Sequence, residues 1–256
     1  MIHLTINDGF AEIVLDNPAK LNALDESALG ELDDAYRRAE EAGVRALLLR
    51  GEGRAFCAGR DISGVDPRSD DVMHYLDGLV TPLLRRMSNF PAPTFAAAHG
   101  ACLGVGLGLL IATDVVYVAE DAKVGSPFAA LGATLDSGGH ALFYERLGAH
   151  RTLDLIYSGR LMSGADAVRA GLFSQSFAAE LLESTTRDAA QRAAAGATQA
   201  FLASKTLVAQ LRDQRVGLWE SMRDENGLQA ALCASADYRE GFAAFQEKRK
   251  PSFAGR

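Results

Sequence analysis

The stretch VGSPFAALGATLDSGG, residues 124–139, contains a single ionisable side chain, the carboxylate of Asp136. A carboxylate in a loop can move a proton between substrate atoms, and it can also cap the first turn of a helix. The residue pattern predicts a helix from about Gly138, so Asp136 is well placed as its N-cap. Ser137 suits the same cap, which would leave Asp136 for chemistry. The residues alone therefore support both roles.

Two glycine-rich turns could supply the other half of a reaction site. AFCAGRD places Ala58 and Gly59 after a predicted strand, and HGACLGVGLG places further glycines at the start of an apolar helix. Two such turns facing each other would aim two backbone N–H groups at one carbonyl oxygen, as in an oxyanion hole. The alternative is that the glycines only permit close packing of helix and strand. Neither a dinucleotide fingerprint nor a P-loop is complete here.

Composition limits the class of protein. The chain has 256 residues, 48% apolar and 23% charged, which is typical of soluble globular proteins. Its formal net charge of −7 disfavours general binding to nucleic acids or to anionic membranes. Three widely spaced cysteines form no metal-ligand pattern, so no metal is expected. Because there is no evident signal peptide and the longest apolar run is too short to span a bilayer, we expect a cytoplasmic protein.

Hydrophobic periodicity predicts strands alternating with helices over residues 1–177. Two short stretches alternate around an Asp8-Gly9 turn as a β-hairpin, and segment 25–42 has helical spacing. Segment 70–88 predicts a second amphipathic helix. The apolar positions of that helix begin with Val72 and Met73. Because the pattern beyond residue 177 is helical, the predicted class is α/β with a helical C-terminal region.

Five blocks occur in an order that is specific to one superfamily. They are NPAKLNAL, AFCAGRDI, HGACLGVGLGLLIATDVVYVAEDAKVGSP, SGRLMSGADAVRAGLFSQSF and EGFAAFQEKRKPSFAG, from about residue 17 to residue 254. Together they resemble the crotonase (enoyl-CoA hydratase/isomerase) superfamily. The resemblance implies a spiral α/β core of repeated ββα units over residues 1–195, with a site for an acyl-coenzyme A thioester. It also implies a helical region over residues 196–256 that serves oligomerisation and covers the pocket.

The resemblance assigns site residues to the two turns. The backbone N–H groups of Ala58 and Val105 would hold the thioester carbonyl, whatever their side chains are. Lys20 and the loop from Gly59 to Ile62 fall where family members meet the nucleotide of coenzyme A, and Lys248 could reach the nucleotide of an adjacent site. The implied substrate-binding residues are Lys20, Gly59, Arg60, Asp61, Ile62, Gly104, Phe128 and Lys248. Coenzyme A enters as part of the substrate, so no separate cofactor is expected.

The two carboxylates of the hydratases in this superfamily are missing. Hydratases use two glutamates to add water, and their positions read Gly108 and Phe128 in this chain. Asp136 matches a later position that carries the principal carboxylate of dienoyl-CoA isomerases and of the isomerase of epoxyphenylacetyl-CoA. The latter resembles this chain further in FCAG, in Phe128 and in the Asp-x-Gly-Gly sequence. A catalytic Asp136 is therefore favoured. The other acidic residues have lesser expected roles. We expect Asp70, Asp71 and Asp77 to face solvent and Asp114 to be structural.

The resemblance and the single aspartate together predict an acyl-CoA isomerase that shifts a double bond or rearranges a ring. One alternative is a hydratase with unorthodox acid and base groups. The other is a catalytically silent acyl-CoA binding protein. A homotrimer or hexamer is expected, held by an apolar stripe on the C-terminal helices, although the stripe could instead pack on the chain's own core. The stripe consists of Leu228, Leu232, Phe242 and Phe245.

Overall fold

A computed structural model describes residues 1–65, 68–128, 133–214, 227, 231 and 235–256. The chain begins with the predicted hairpin, in which β1 (Ile2–Asn7) and β2 (Phe10–Leu15) pair antiparallel. Asp8 and Gly9 form the turn with φ of 48° and 75°. Positive φ at both residues is the requirement of a type I′ turn, so the Asp-Gly signal correctly predicted the hairpin.

The first predicted helix is confirmed together with its buried face. Helix α1 (Glu26–Glu41) begins after Asp25, whose carboxylate accepts the N–H of Ala28 at 2.8 Å. The six apolar positions with helical spacing are all buried: Ala28, Leu29, Leu32, Ala35, Tyr36 and Ala39. Strand β3 (Ala46–Gly51) follows and is almost entirely buried, as its apolar run predicts.

The second predicted helix is present, but its inward face is shifted. Its first part, His74–Val80, is a π-helix that continues into α2 (Thr81–Ser88). A π-helix bonds residues five apart, so it departs from the 3.6-residue period behind the prediction. Val72 and Met73 are exposed rather than inward-facing, and the prediction for them is wrong. The buried residues of this segment are Tyr75, Val80, Leu83 and Met87.

The remaining elements complete two sheets and a helical layer. The first group is β4 (Thr94–Ala98), β5 (Ala101–Leu103), α3 (Val105–Ile111), β6 (Val115–Ala119) and β7 (Lys123–Gly125). The second group is α4 (Gly139–Ser158), β8 (Met162–Ser163), α5 (Gly164–Arg169), β9 (Gln175–Phe177), α6 (Ala179–Ala194), α7 (Thr198–Gln214) and α8 (Ala236–Glu247).

The strand order explains how the site is positioned. Within the described residues one sheet has the order β1-β2-β3-β4-β6-β9, and a smaller one has the order β5-β7-β8. From β2 onward the strands of the larger sheet run parallel. Parallel strands require crossover connections, and α1 and the 74–88 helix supply two of them. The predicted α/β class with a helical C-terminal region is confirmed.

The end of the chain packs on its own core. Arg45 donates to the carbonyl oxygens of Gly196 and Phe253, at 2.6 and 3.1 Å. The buried carboxylate of Asp237 accepts two backbone N–H groups, from Ala254 and Gly255, at 2.7 and 2.8 Å. These contacts agree with the alternative in which this region packs internally.

Two predictions about this region stay predictions. Residues Leu228 and Leu232 and the side chains of Phe242 and Phe245 lie outside the part of the chain that the structure describes. The division into residues 1–195 and 196–256 falls in the connection between α6 and α7 and stays a prediction.

A cluster of charges joins α6 to the larger sheet. Glu12 on β2 is bound by Arg50 on β3, at 2.6 Å, and by Arg187 on α6. Burial raises the pKa of the Glu12 carboxyl, but hydrogen bonds and charge from the two arginines outweigh it, so the net shift is downward. A lowered carboxyl pKa stabilises the fold above the ordinary pKa, and this contribution is lost as the pH falls through the lowered value.

We expect Glu12→Gln to lower the free energy of unfolding by roughly 2 kcal/mol at pH 7, because the partly buried Arg50 and Arg187 lose the carboxylate that both of them bind. Urea unfolding would measure the change. Glu52→Gln is the matched control, since Glu52 forms an ion pair with Arg50 but its side chain is 50% exposed. The control should change stability by less than about 0.5 kcal/mol. Equal effects of the two variants would contradict the assignment.

Candidate active site

The two glycine-rich turns lie against each other, as the sequence predicted. Cys57 pairs with β5: its N–H donates to Ala101 at 2.9 Å and its carbonyl accepts from Leu103 at 3.0 Å. Gly59 has φ of +104°, and a Cβ added there would lie 3.0 Å from the Leu103 carbonyl oxygen and 3.8 Å from the Cα of Gly104. Glycine is needed at this position both for its backbone conformation and for the close approach.

The backbone N–H of Ala58 is not directed at the space between the turns. It donates to the carbonyl of Leu21 at 3.0 Å. The following residues pair with the same segment: the Gly59 carbonyl accepts from Leu24 at 2.8 Å, and the Asp61 N–H donates to Leu24 at 2.9 Å. Because this hydrogen bond already uses the Ala58 amide, the prediction that it holds a ligand carbonyl is wrong.

Unlike the N–H of Ala58, the N–H of Arg60 has no acceptor among the described residues. Arg60 lies between Gly59 and Asp61, whose carbonyl and N–H face Leu24. In a parallel bridge of this kind, the intervening residue directs its N–H away from the partner, which here is Leu24. The predicted donor Val105 is the first residue of α3, where a helix provides no acceptor. In the described part of the chain, no acceptor is found for either N–H.

The side chain of Arg60 is held in place by two contacts. Its guanidinium binds both carboxylate oxygens of Asp70, at 2.7 and 2.6 Å, and lies 4.0 Å from the ring centroid of Tyr75. The Tyr75 hydroxyl in turn donates to the Leu24 carbonyl at 3.0 Å. Asp70 therefore does not face solvent, contrary to prediction. The period of the segment could not reveal this ion pair, since its partners come from two different loops.

Asp136 is not the cap of the helix that follows. Helix α4 has Gly138 at its N-cap, and no side chain caps it, so the capping roles considered for Asp136 and Ser137 are wrong. The Ser137 hydroxyl instead donates to Asp136 Oδ1 at 2.9 Å. The carboxylate is half-buried, and burial raises its pKa, while the Ser137 hydrogen bond and the charge of Arg60 partly oppose the shift.

The turn that contains Asp136 lies against helix α3, which begins with Val105. A Cβ added at Gly108 would lie 2.5 Å from the Cβ of Ser137, so the 136–137 turn lies directly on this helix. Gly108 is three residues after Val105, and residues at that spacing share one face of a helix. Ser137, the neighbour of Asp136, therefore lies against α3 about one helical turn from Val105. The ring of Phe128 lies beside the N-terminal end of α3, 3.0 Å from a Cβ added at Gly104.

A second group of predicted residues lies at the outer side of the first turn. Lys20 Nζ contacts Asp61 Oδ2 at 2.5 Å, and this hydrogen bond is the first cause of a lowered pKa of Asp61. Ile62, the next residue, is exposed. Lys248 is exposed after α8, and in the described chain no hydrogen bond or ion pair joins it to this group. The binding roles of these residues stay predictions.

Three further observations define the surroundings of the site. Asp114 accepts from the Thr94 N–H and hydroxyl at 2.9 Å each and from Lys205 at 2.9 Å, so it is structural, as expected. A cavity of about 580 Å³ lies between β1, β2, α6 and the chain's last residues, and none of its lining residues belongs to the site. Across the described ranges, no three His, Cys, Asp or Glu side chains are grouped to hold a metal.

One observation concerns membranes. Among the helices described, none combines the length and the apolar character needed to cross a bilayer.

Comparison with known proteins finds relatives that match nearly the whole length of the chain. The family model described as "Enoyl-CoA hydratase/isomerase" matches residues 5–256. A Rhodobacter capsulatus protein named "Probable enoyl-CoA hydratase" is 34% identical, covering 100% of this chain and 98% of the relative. The 1,2-epoxyphenylacetyl-CoA isomerase of Escherichia coli K12 is 30% identical, covering 98% and 97%. The crystal structure of an enoyl-CoA hydratase from Bacillus anthracis superposes with a TM-score of 0.90 at 28% identity, covering 100% and 99%. The chain therefore belongs to the enoyl-CoA hydratase/isomerase family.

Proposed function

We propose that this protein isomerises an acyl-coenzyme A thioester, with Asp136 as its single proton-transferring group. The observation that supports this most is the setting of the Asp136 carboxylate. It is half-buried, it caps no helix, and the adjacent Ser137 lies against α3 at Gly108, about one helical turn from Val105. Burial raises its pKa towards the range in which a carboxyl group both accepts and returns a proton.

In the proposed reaction, the N–H groups of Arg60 and Val105 donate to the thioester carbonyl oxygen. Asp136 removes a proton from a carbon of the acyl chain, and the electron pair passes into the thioester to give an enolate. The two amides stabilise the negative charge that develops on the oxygen. Asp136 then returns the proton to a different carbon of the extended enolate. Coenzyme A enters with the substrate, and the step consumes no other reagent.

The residues beside the carboxylate favour isomerisation over hydration. Addition of water requires groups that position the water and deprotonate it, and the two family positions for such groups are Gly108 and Phe128. Neither residue can exchange a proton. The names of several relatives nevertheless say hydratase, so hydration is the competing activity to test.

Two probe thioesters separate the three candidate functions. Isomerisation predicts that 3-hexenoyl-CoA becomes the conjugated 2-enoyl thioester, with solvent deuterium entering the acyl chain in deuterated buffer. Hydration predicts instead that crotonyl-CoA loses its conjugation. A silent binder would bind both thioesters and would change neither. Ultraviolet absorbance and mass spectrometry follow these outcomes directly, and the first outcome is the one we expect.

We further propose that copies of this chain assemble through α4 and α7. Exposed apolar side chains lie on both helices, with Tyr157 at 75% and Val208 at 64% exposure. Phe201, Val208 and Leu211 follow one face of α7 at helical spacing. Such a face is costly in water, and a second copy of the chain would cover it. This differs from the predicted stripe near the chain end, where the described contacts are internal.

Charged substitutions on this face test the proposed assembly. We expect the double variant Val208→Asp and Leu211→Asp to give smaller particles in light scattering, because two carboxylates cannot be buried unpaired in an apolar interface. Thr206→Asp is the matched control, since Thr206 is exposed on the opposite side of the same helix. An unchanged particle size in the folded double variant would contradict the interface.

A further inference from the structure

The Ser137 hydroxyl is held in an unusual place. Ser137 has φ of +51°, in the left-handed region that residues with a side chain seldom adopt. Glycine would adopt this conformation without strain, and the next two residues are glycines. Backbone strain at a residue beside a reactive group points to a function for its side chain. The hydroxyl is not a helix cap, and its described partner is Asp136 Oδ1 at 2.9 Å.

The position of Ser137 depends on Gly108. A Cβ at residue 108 would lie 2.5 Å from Ser137 Cβ, 3.1 Å from its carbonyl oxygen and 3.3 Å from Leu84 Cδ1. Real Cβ atoms do not approach other atoms to 2.5 Å, so any side chain at 108 must displace the 136–138 turn. Ser137 therefore occupies the space that a side chain at residue 108 would need.

We propose that Ser137 is a positioning residue, placed by the absence of a side chain at Gly108, which binds Oδ1 of Asp136 and turns Oδ2 towards the substrate. This inference rests on the proposed function, in which Asp136 transfers the proton. It also explains why a carboxylate on α3 is absent. A glutamate at residue 108, where the hydratases carry one, would occupy the place of Ser137. In this chain, a side chain at residue 108 and the observed position of Ser137 exclude each other.

The groups on the elements around the 136–137 turn define what a pH measurement on Asp136 reports. The Arg60 guanidinium favours the ionised form, and Tyr75 on the π-helix is a buried neutral phenol whose pKa burial raises. His140 on α4 contacts Thr134 at 3.4 Å. From α3 and α2 come Gly108 and Leu84, neither of which titrates. Among the described residues, the Ser137 hydrogen bond is thus the one hydrogen bond to the Asp136 carboxylate that a single substitution removes.

Ser137→Ala tests the hydrogen bond. We expect isomerisation of 3-hexenoyl-CoA to fall about 10-fold in kcat at neutral pH, as for loss of a hydrogen bond to a charged group, with KM changed less than about twofold. The acidic limb of the pH profile should move to higher pH, because the ionised base loses a donor that favours it. Loss of activity that is equal at every pH would overturn the proposal, as would an unchanged profile.

Ser137→Gly separates positioning from stability. Glycine removes both the hydroxyl and the backbone strain, so the unfolding midpoint should rise while activity falls as in Ser137→Ala. A purely structural serine would instead give a glycine variant with full activity, which would overturn the proposal.

Gly108→Ala tests whether the position of Ser137 depends on the missing side chain at residue 108. We expect it to lower activity at least 10-fold, since the Asp136 turn must move, whereas Gly30→Ala on α1 should be neutral because nothing lies within 4 Å of a Cβ there. In a Ser137→Gly background the clash with the Ser137 Cβ is gone, so Gly108→Ala should have a much smaller effect. Equal effects in both backgrounds would overturn the coupling.

The outcome for Asp136 keeps the two proposals distinguishable. If Asp136→Asn keeps its activity, the proposed function fails. If Asp136→Asn is inactive while Ser137→Ala retains the wild-type pH profile, the proposed function stands and the role of Ser137 is rejected.

Discussion

Asp136→Asn should lower isomerisation of 3-hexenoyl-CoA and deuterium exchange into its acyl chain by about 100- to 10,000-fold. Asparagine keeps the size of the side chain and can still accept the Ser137 hydrogen bond, but it cannot take up a proton. Thioester affinity should change little, because the proposed amide donors are untouched. Single-turnover kinetics and mass spectrometry would measure both effects.

The same variant should be at least as stable as the wild type at pH 7. Burial raises the pKa of Asp136, so the folded state disfavours the ionised form. A raised carboxyl pKa means that stability is lost as the pH rises from the ordinary value, about 3.9, through the raised one. Asparagine removes this penalty, and the difference between the variants should shrink at acid pH. Thermal unfolding at several pH values would show it.

Asp77→Asn is the matched control, because Asp77 is an exposed carboxylate on the neighbouring π-helix. It should retain wild-type turnover. An Asp136→Asn protein with wild-type exchange would end the proposal of a single base, and attention would pass to hydration or to binding without chemistry.

Val105→Pro should lower kcat about 100- to 1,000-fold while leaving helix α3 intact. Proline is well tolerated at the first position of a helix, where its missing N–H has no helical acceptor and its φ is already suitable. Val105 occupies this position. The substitution therefore removes one proposed oxyanion donor with little disturbance of the backbone.

Val105→Ala is the control for the side chain, since it shortens the buried valine but keeps the N–H. It should retain activity within a few-fold. Circular dichroism and light scattering would establish that both variants fold and assemble alike. Turnover by a folded proline variant at the alanine level would exclude Val105 as a donor.

The sequence predicted those elements whose burial follows a local period. The buried face of α1 could be predicted residue by residue because one regular helix carries one apolar stripe. The π-helix at His74–Val80 could not, because a change in hydrogen-bond spacing leaves no mark in the apolar pattern. As a result, Val72 and Met73, which the regular period placed on the inward face, are exposed.

The site was predictable where glycine marks a close approach and where a helix begins. The close approach of Gly59 to Gly104 and the start of an apolar helix beside them were predicted in this way, and their binding roles stay predictions. The partner of the Ala58 amide was not, because the direction of each N–H in this turn depends on pairing with Leu21 and Leu24, which are distant in sequence. The same holds for the Arg60–Asp70 ion pair and for the contact of Ser137 with Gly108, which are both tertiary.

The strand order of the larger sheet has a consequence for the growing chain on the ribosome. From β1 to β6 each strand joins the edge left by an earlier one, so the N-terminal half can assemble in the order of its synthesis. Strand β6 then stays an open edge until Gln175–Phe177 emerges and pairs with it as β9. An unpaired parallel edge attracts other strands. We therefore expect aggregation, or capture by a chaperone, of nascent chains whose synthesis pauses after β6 and before β9.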